Sequence, residues 1–198
     1  MRTAPFAEPF TRFRTQLAEA QAVDRAILPE PTAFALGTVG ADGQPAVRML
    51  LLKAADERGF VFYTNYESRK GRELLAHGKA ALCFHWMPFE RQVRVEGPVE
   101  RVSDAEADEY FASRPRGSQL STWVSRQSTV VASRAALEAA LAEVEARYPG
   151  DVPRPPYWGG YVVEPDGVEL WKGRRNRLHD RLRYRRDGDA WVIERLAP

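Results

Sequence analysis

Between Trp171 and Arg181 the chain reads Trp-Lys-Gly-Arg-Arg-Asn-Arg-Leu-His-Asp-Arg, an aromatic and a histidine set among cations. Such a set suits a planar, anionic ligand, because the aromatic offers a stacking face and guanidinium groups offer paired donors to phosphate or carboxylate oxygens. From Lys172 to Arg186 there are eight Lys or Arg and one acid, Asp180, whereas the whole chain of 198 residues has a formal charge of only +2. If the stretch is extended, alternation places Trp171, Arg175, Arg177, His179 and Arg181 on one face and Leu178 on the other. A solvated strand edge that discourages aggregation would explain Lys172 and Arg174, but accounts less well for the row beside Trp171.

Four other groups have chemical potential. Around Tyr63-Thr64-Asn65-Tyr66-Glu67-Ser68-Arg69-Lys70-Gly71 a strand gives way to a helix opening near Ser68, whose unpaired N–H groups and neighbouring cations suit a phosphate. An ordinary Ser cap with solvated basic residues fits the same letters. In Arg48-Met49-Leu50-Leu51-Leu52-Lys53, alternation puts Lys53 with Met49 and Leu51 at the edge of a buried face and Arg48 opposite, and such a lysine needs an anion, either ligand or carboxylate. In Arg91-Gln92-Val93-Arg94-Val95-Glu96 the valines face one way; Gln92 on the polar side reads a ring edge or simply faces water. Tyr110 and Arg114, four apart before Pro115, with Ser118 beyond, form either a second phosphate site or an unremarkable helix surface. Cys83 lies in an apolar run and reads as a buried structural thiol. His77 and His85 have no metal-ligand spacing, so no metal site is expected.

The elements that must position these groups follow from periodicity. Phe10, Phe13 and Leu17 recur at helical spacing, predicting a helix over 8–22. Short β-rich runs follow at 33–39, 45–53, 59–64, 80–86 and 91–101, with turn signals between them, as in an antiparallel meander. Ser103-Asp104-Ala105-Glu106 is a capping box for a helix ending at Arg114-Pro115, and the Ala- and Leu-rich stretch from Ser133 to Arg147 predicts a longer one. Strands return at 157–164, 168–171, 181–185 and 190–195, with Asp187-Gly188 as a hairpin turn. The pattern predicts a small closed β-barrel with helical additions in a single domain over 1–198, residues 1–28 forming an N-terminal helical lead and 29–198 the barrel with helical insertions. A pI near 8.8 is too mild to indicate nucleic-acid binding. No window approaches the roughly 20 apolar residues of a membrane span, and no signal-peptide pattern follows Met1-Arg2, so a soluble, cytoplasmic protein is expected.

With these residues in view, the chain resembles the pyridoxine/pyridoxamine 5′-phosphate oxidases over most of its length. The likeness runs through Glu30-Pro31-Thr32-Ala33, Arg48 to Lys53, Phe62 to Asn65, Ser68 to Gly71, Arg91 to Gly97, Tyr110 to Pro115, Trp158-Gly159-Gly160, Asn176 to Arg181 and Arg195 to Pro198. The resemblance implies a mainly β fold with α additions: an antiparallel, Greek-key-like, FMN-binding split β-barrel flanked by helices, in a homodimer with FMN at the subunit interface. It implies FMN contacts from Arg48, Lys53, Tyr63, Thr64, Arg69, Lys70, Gln92, Gln127, Ser128, Trp171 and Arg181. Lys53, Tyr110, Arg114 and Ser118 would hold the substrate phosphate, with Arg177 and His179 flanking the ring as the catalytic pair. The implied reaction is hydride transfer from C4′ of pyridoxine or pyridoxamine 5′-phosphate to N5 of FMN, with O2 reoxidising the flavin to give H2O2 and pyridoxal 5′-phosphate. Two departures are visible: only Met1 to Ala7 precede the first helix, where a longer basic segment is common, and Leu120-Ser121-Thr122-Trp123 replaces the more usual Ile-Gly-Ala-Trp. Competing readings are an FMN oxidase for another ring, such as a phenazine-pathway intermediate, which would lack Tyr110, Arg114 and Ser118, and a non-catalytic flavin- or nucleic-acid-binding module using the cationic run.

Overall fold

The computed structural model describes residues 2–5 and 7–198. Strand β1 (Arg2–Pro5) precedes helix α1 (Glu8–Gln21), whose first turn holds Glu8 and Pro9, both favourable there. Phe10 and Phe13 on its inner face are fully buried, and the Phe13 ring sits 4.9 Å from both Phe60 and Phe84. Strands β2 (Ala33–Val39), β3 (Pro45–Leu51), β4 (Ala54–Asp56) and β5 (Gly59–Asn65) follow, then α2 (Arg69–His77), β6 (Lys79–Trp86) and β7 (Arg91–Arg101). Helices α3 (Asp104–Ser113), α4 (Arg116–Val124) and α5 (Arg134–Arg147) form a side layer, and β8 (Trp158–Val163), β9 (Gly167–Lys172), β10 (Asp180–Asp187) and β11 (Ala190–Arg195) complete the sheet.

All pairings are antiparallel. One path runs β1-β11-β10-β9-β7-β6-β2-β3, and the long β7 splits its pairing: Arg91 to Glu96 meet β9, whereas Val99 to Arg101 meet β8, which continues to β5 and β4. The strand leaving β3 breaks at Leu52 and Lys53 before continuing as β4 against β5. The barrel is therefore split, closed by a chain bend instead of the unbroken ladder of a fully closed barrel. The core inside it is built from alternating residues such as Phe34 and Leu36 of β2, Leu82, Phe84 and Trp86 of β6, and Val93 and Val95 of β7.

Local signals are met where they were expected. Ser68, Ser103 and Ser133 cap α2, α3 and α5, each side-chain oxygen accepting from the backbone N–H three residues on. Helix α4, β1 and β4 lack such signals and are not anticipated. A second cluster, Phe111, Leu120, Val144, Val152 and Trp158, joins α3, α4 and α5 to β8 and makes a wall for the site below. No described helix is long and apolar enough to cross a membrane.

Candidate active site

At the start of α2 two guanidinium groups and a hydroxyl converge on one carboxylate, with the Lys70 ammonium close by. Glu73, 6% exposed, accepts from Thr38 Oγ1 at 2.5 Å, Arg69 Nε at 2.7 Å and Arg48 Nη2 at 3.0 Å. Burial alone would raise its pKa, but these three donors and the nearby guanidinium of Arg48 hold it below the ordinary carboxylate value. Lys70, 7% exposed, donates to Gln127 Oε1 at 2.7 Å, Thr64 Oγ1 at 3.2 Å and Ser68 Oγ at 3.4 Å, all uncharged. Burial pushes this ammonium down to about 8; Arg48 adds to the effect and Glu73 opposes it. The helix lies close enough for this because residue 71 is glycine: a Cβ there would fall 2.1 Å from the carbonyl oxygen of Tyr66. Arg48, Arg69, Lys70, Gln127 and Ser128 line a cavity of about 550 Å³. Three cations facing a single acid leave an excess of positive charge, which fits a phosphate monoester dianion.

A larger cavity of about 740 Å³ has Gln127 as a common wall with the first and is lined by Lys53, Tyr63, Thr64, Tyr110, Arg114, Ser118, Thr122 and Trp158 among others. Its aromatic wall is a stack: Tyr63 and Tyr110 are 3.9 Å apart at 20°, and Tyr63 and Trp158 are 5.5 Å apart at 15°. Gly160 makes room for it, since a Cβ there would meet the Tyr63 ring at 2.9 Å. Burial raises the Tyr63 phenol to about 12, Glu106 and Tyr110 adding to the effect. Arg114 is not on the helix with Tyr110 but caps its end in extended backbone; its guanidinium lies 4.6 Å over Trp158 and donates to Thr122 Oγ1 at 2.8 Å. It is half-buried with no acid against it among the described residues, and burial lowers its pKa. Ser118 stands on α4 beside it.

Two expectations need correction. Lys53 does not continue the β3 alternation at a buried edge: β3 ends at Leu51, its outward residues Val47, Met49 and Leu51 are exposed, and Arg48 and Leu50 face inward. Lys53 is exposed on the bend, where its N–H bonds Val61 O at 2.9 Å and its ammonium comes within 6.0 Å of the Tyr110 ring. Nor is Trp171 to Arg181 one extended face. β9 ends at Lys172, a short 3-10 turn covers Arg175–Arg177 with Asn176 and Arg177 at positive φ, and β10 begins at Asp180. The residues are nevertheless gathered by hairpin register: Trp171 pairs with Arg181 on one side and Gln92 on the other.

In that row Arg181 is held by Glu169, which accepts at 2.8 and 3.1 Å and also takes Arg94 at 3.3 Å. The His179 ring lies 4.8 Å from Trp171, and its Nδ1 accepts from the Arg174 N–H at 3.1 Å, which places the proton of the neutral imidazole on Nε2. Arg175 and Arg177 are exposed. Gln92, Trp171, Arg177, His179 and Arg181 line neither cavity described above. Sequence reading missed Glu73 and Thr122. The four-residue spacings Arg69 to Glu73 and Ser118 to Thr122 are the signals that would have pointed to them. Among the described residues no group of three or more His, Cys, Asp or Glu could hold a metal.

A split antiparallel barrel with a cationic cradle opening beside an aromatic-walled cavity defines a class, the split-barrel flavin-binding proteins. A solved FMN-binding protein from Nostoc punctiforme, described as related to pyridoxamine 5′-phosphate oxidase, shares the fold with a TM-score of 0.74 at 18% identity, over 95% of this chain and 96% of that one. PhzG from Burkholderia lata, solved with tetrahydrophenazine-1-carboxylic acid, superposes with a TM-score of 0.88 at 35% identity, over 96% and 92%. A pyridoxine/pyridoxamine 5′-phosphate oxidase of Thermosynechococcus vestitus is 60% identical over 191 residues, covering 96% of this chain and 89% of the relative. Residues 21–148 match the model of pyridoxamine 5′-phosphate oxidase and residues 158–198 that of the pyridoxine 5′-phosphate oxidase C-terminal dimerisation region. The chain belongs to the pyridoxamine 5′-phosphate oxidase family and is an oxidoreductase.

Proposed function

We propose that the protein oxidises pyridoxine 5′-phosphate and pyridoxamine 5′-phosphate to pyridoxal 5′-phosphate, as one FMN-binding domain acting in a homodimer. The observation that carries this reading is the presence of two anion sites on adjoining cavities: the cradle of Arg48, Arg69 and Lys70, and the acid-free Arg114 beside Ser118 and Tyr110. One phosphate belongs to the cofactor and the other to the substrate. FMN would be held by Arg48, Arg69, Lys70 and Ser128 at its phosphate and by Lys53, Tyr63, Thr64 and Gln127 along its length. When bound it supplies the acceptor for a hydride from the substrate C4′ carbon, O2 then taking the electrons to give H2O2. Arg114, Ser118, Tyr110 and Lys53 bind the substrate phosphate against the wall made by α3 and α4.

The remaining residues come from a second copy. Trp171, Arg177, His179 and Arg181 all lie in the matched dimerisation region and, with Gln92 beside Trp171, line neither of the two cavities described above. The exposed apolar residues Val47, Met49 and Leu51 on the edge strand β3 offer the surface such a copy would cover. Gln92, Trp171 and Arg181 then complete the flavin site, while Arg177 and His179 position the substrate ring, a contribution worth several kcal/mol through orientation.

The neighbour solved with tetrahydrophenazine-1-carboxylic acid supplies a second reading, an oxidase for another ring, against which Tyr110, Arg114 and Ser118 together favour a phosphorylated substrate. The relative at 60% identity favours the phosphorylated pyridoxine class. The purified protein is expected to show flavin absorbance and, given pyridoxine 5′-phosphate in air, to form pyridoxal 5′-phosphate and H2O2 in equal amounts. Absence of product after FMN is added would overturn the proposal, and turnover of the phenazine precursor alone would establish the second reading.

The position of Lys70 has a pH consequence. With its ammonium near 8 in the free cradle, a bound phosphate dianion raises that value, so flavin binding takes up a proton in the interval between the two. Flavin affinity should fall as pH rises through about 8, by up to about tenfold per pH unit. The apoprotein moves the other way: between about 8 and the ordinary lysine value of 10.5 the unfolded chain binds more protons, so this residue's contribution makes stability rise with pH. Flavin fluorescence-quenching titrations from pH 7 to 9.5 measure the first effect, and Lys70→Met should flatten the profile; a profile equally steep in the variant would assign it elsewhere.

A further inference from the structure

We infer that Thr122 is a positioning residue for the substrate anion, fixing Arg114 in the orientation that accepts a phosphate; this rests on the reading of Arg114 given above. Thr122 is 7% exposed in the last turn of α4, and its hydroxyl has two partners. It donates to Ser118 O at 2.8 Å and accepts from Arg114 Nη1 at 2.8 Å. The first bond decides the second: a hydroxyl has one proton, and with that proton on the Ser118 carbonyl its lone pairs point at the guanidinium. One hydroxyl thereby links the backbone of Ser118 to the side chain of Arg114, tying together two residues assigned to the same anion.

The rest of the Arg114 environment sets its plane but not its rotation within that plane. Trp158 lies 4.6 Å and Phe111 5.6 Å from the guanidinium carbon, so its faces are in contact with rings, and rings do not select which N–H points where. Thr122 does so by engaging Nη1, leaving the other N–H groups free to meet an anion in the cavity that Arg114, Ser118 and Thr122 line together. A guanidinium held before binding loses less freedom when the ligand arrives.

The test uses the flavin-loaded enzyme. Thr122→Val keeps the shape and removes the hydroxyl; it should raise the KM for pyridoxine 5′-phosphate and the dissociation constant of inorganic phosphate roughly three- to tenfold. The kcat and flavin content should stay at wild-type levels, and Thr122→Ser should restore both constants. If Thr122→Val binds phosphate as tightly as wild type while Arg114→Ala is weakened, the positioning role is wrong and the anion site stands. If neither weakens phosphate binding, the anion site itself is wrong. Should Thr122→Val not fold, Thr122→Ala and Thr122→Ser are compared instead, and equal defects in those two would reduce the residue to packing and overturn the inference.

Discussion

Replacing Glu73 with alanine is expected to destabilise the apoprotein by about 3 kcal/mol, at the lower end of the cost of stripping one partner from a buried ion pair. The carboxylate is the hub of the cradle: Thr38, Arg48 and Arg69 all donate to it, and among the described residues it is the one acid paired with Arg48 and Arg69. Without it Arg48, which is largely buried, faces the Lys70 ammonium with no counter-charge, and Thr38 loses its acceptor. The loss stays at this lower end because Arg69 is more than half exposed and water screens its share. Because the folded-state pKa of Glu73 is depressed, its contribution is present above the ordinary carboxylate value of 4.5 and is lost as pH falls through the lower folded value. The difference between wild type and variant should therefore shrink in acid. Urea denaturation at pH 7 and pH 4 measures both; a variant within 1 kcal/mol of wild type at pH 7 would refute the hub role.

Arg114→Ala should raise the KM for pyridoxine 5′-phosphate about ten- to a hundredfold, the range for losing charge-assisted hydrogen bonds to an anion, with flavin retained. Two features separate this from general damage. The guanidinium has no acid partner, so its removal strands no buried carboxylate, and burial already disfavours its charged form. Apoprotein stability should consequently change by less than about 1 kcal/mol despite the lost stacking on Trp158. Arg114→Lys is expected to recover little, because an ammonium cannot lie flat on the ring and reach Thr122 and a phosphate together. Steady-state kinetics with thermal melts of the same samples decide it: an unchanged KM would remove Arg114 from the site, and a large loss of stability would make its role structural.

How legible the site was depends on the range of the interaction concerned. Ser68, Ser103 and Ser133 announced their helices because a cap is decided by residues three positions away. Val93 and Val95 announced a buried face because alternation is local to one strand. The same alternation failed at β3, where Met49 and Leu51 face outward: on an edge strand an apolar row marks a surface as readily as a core. It failed again after Lys172, where a run of arginines carries no mark of the turn that breaks it at Asn176 and Arg177.

The sequence by itself determined the order of the elements apart from β1, β4 and α4, the capped helices, the residue types able to hold two phosphates and, through motifs in series, the family. Only the tertiary structure decided that Lys70 is buried with uncharged hydrogen-bond partners, that Glu73 gathers Arg48, Arg69 and Thr38, and that Thr122 reaches Arg114. It also set Gln92, Trp171 and Arg181 in one row, outside the two cavities that Arg48 and Arg114 line. The physical reason is the separation along the chain. Caps and periodicity act within a few residues, whereas burial, strand register and the partner of a charge are settled by contacts between segments far apart in sequence.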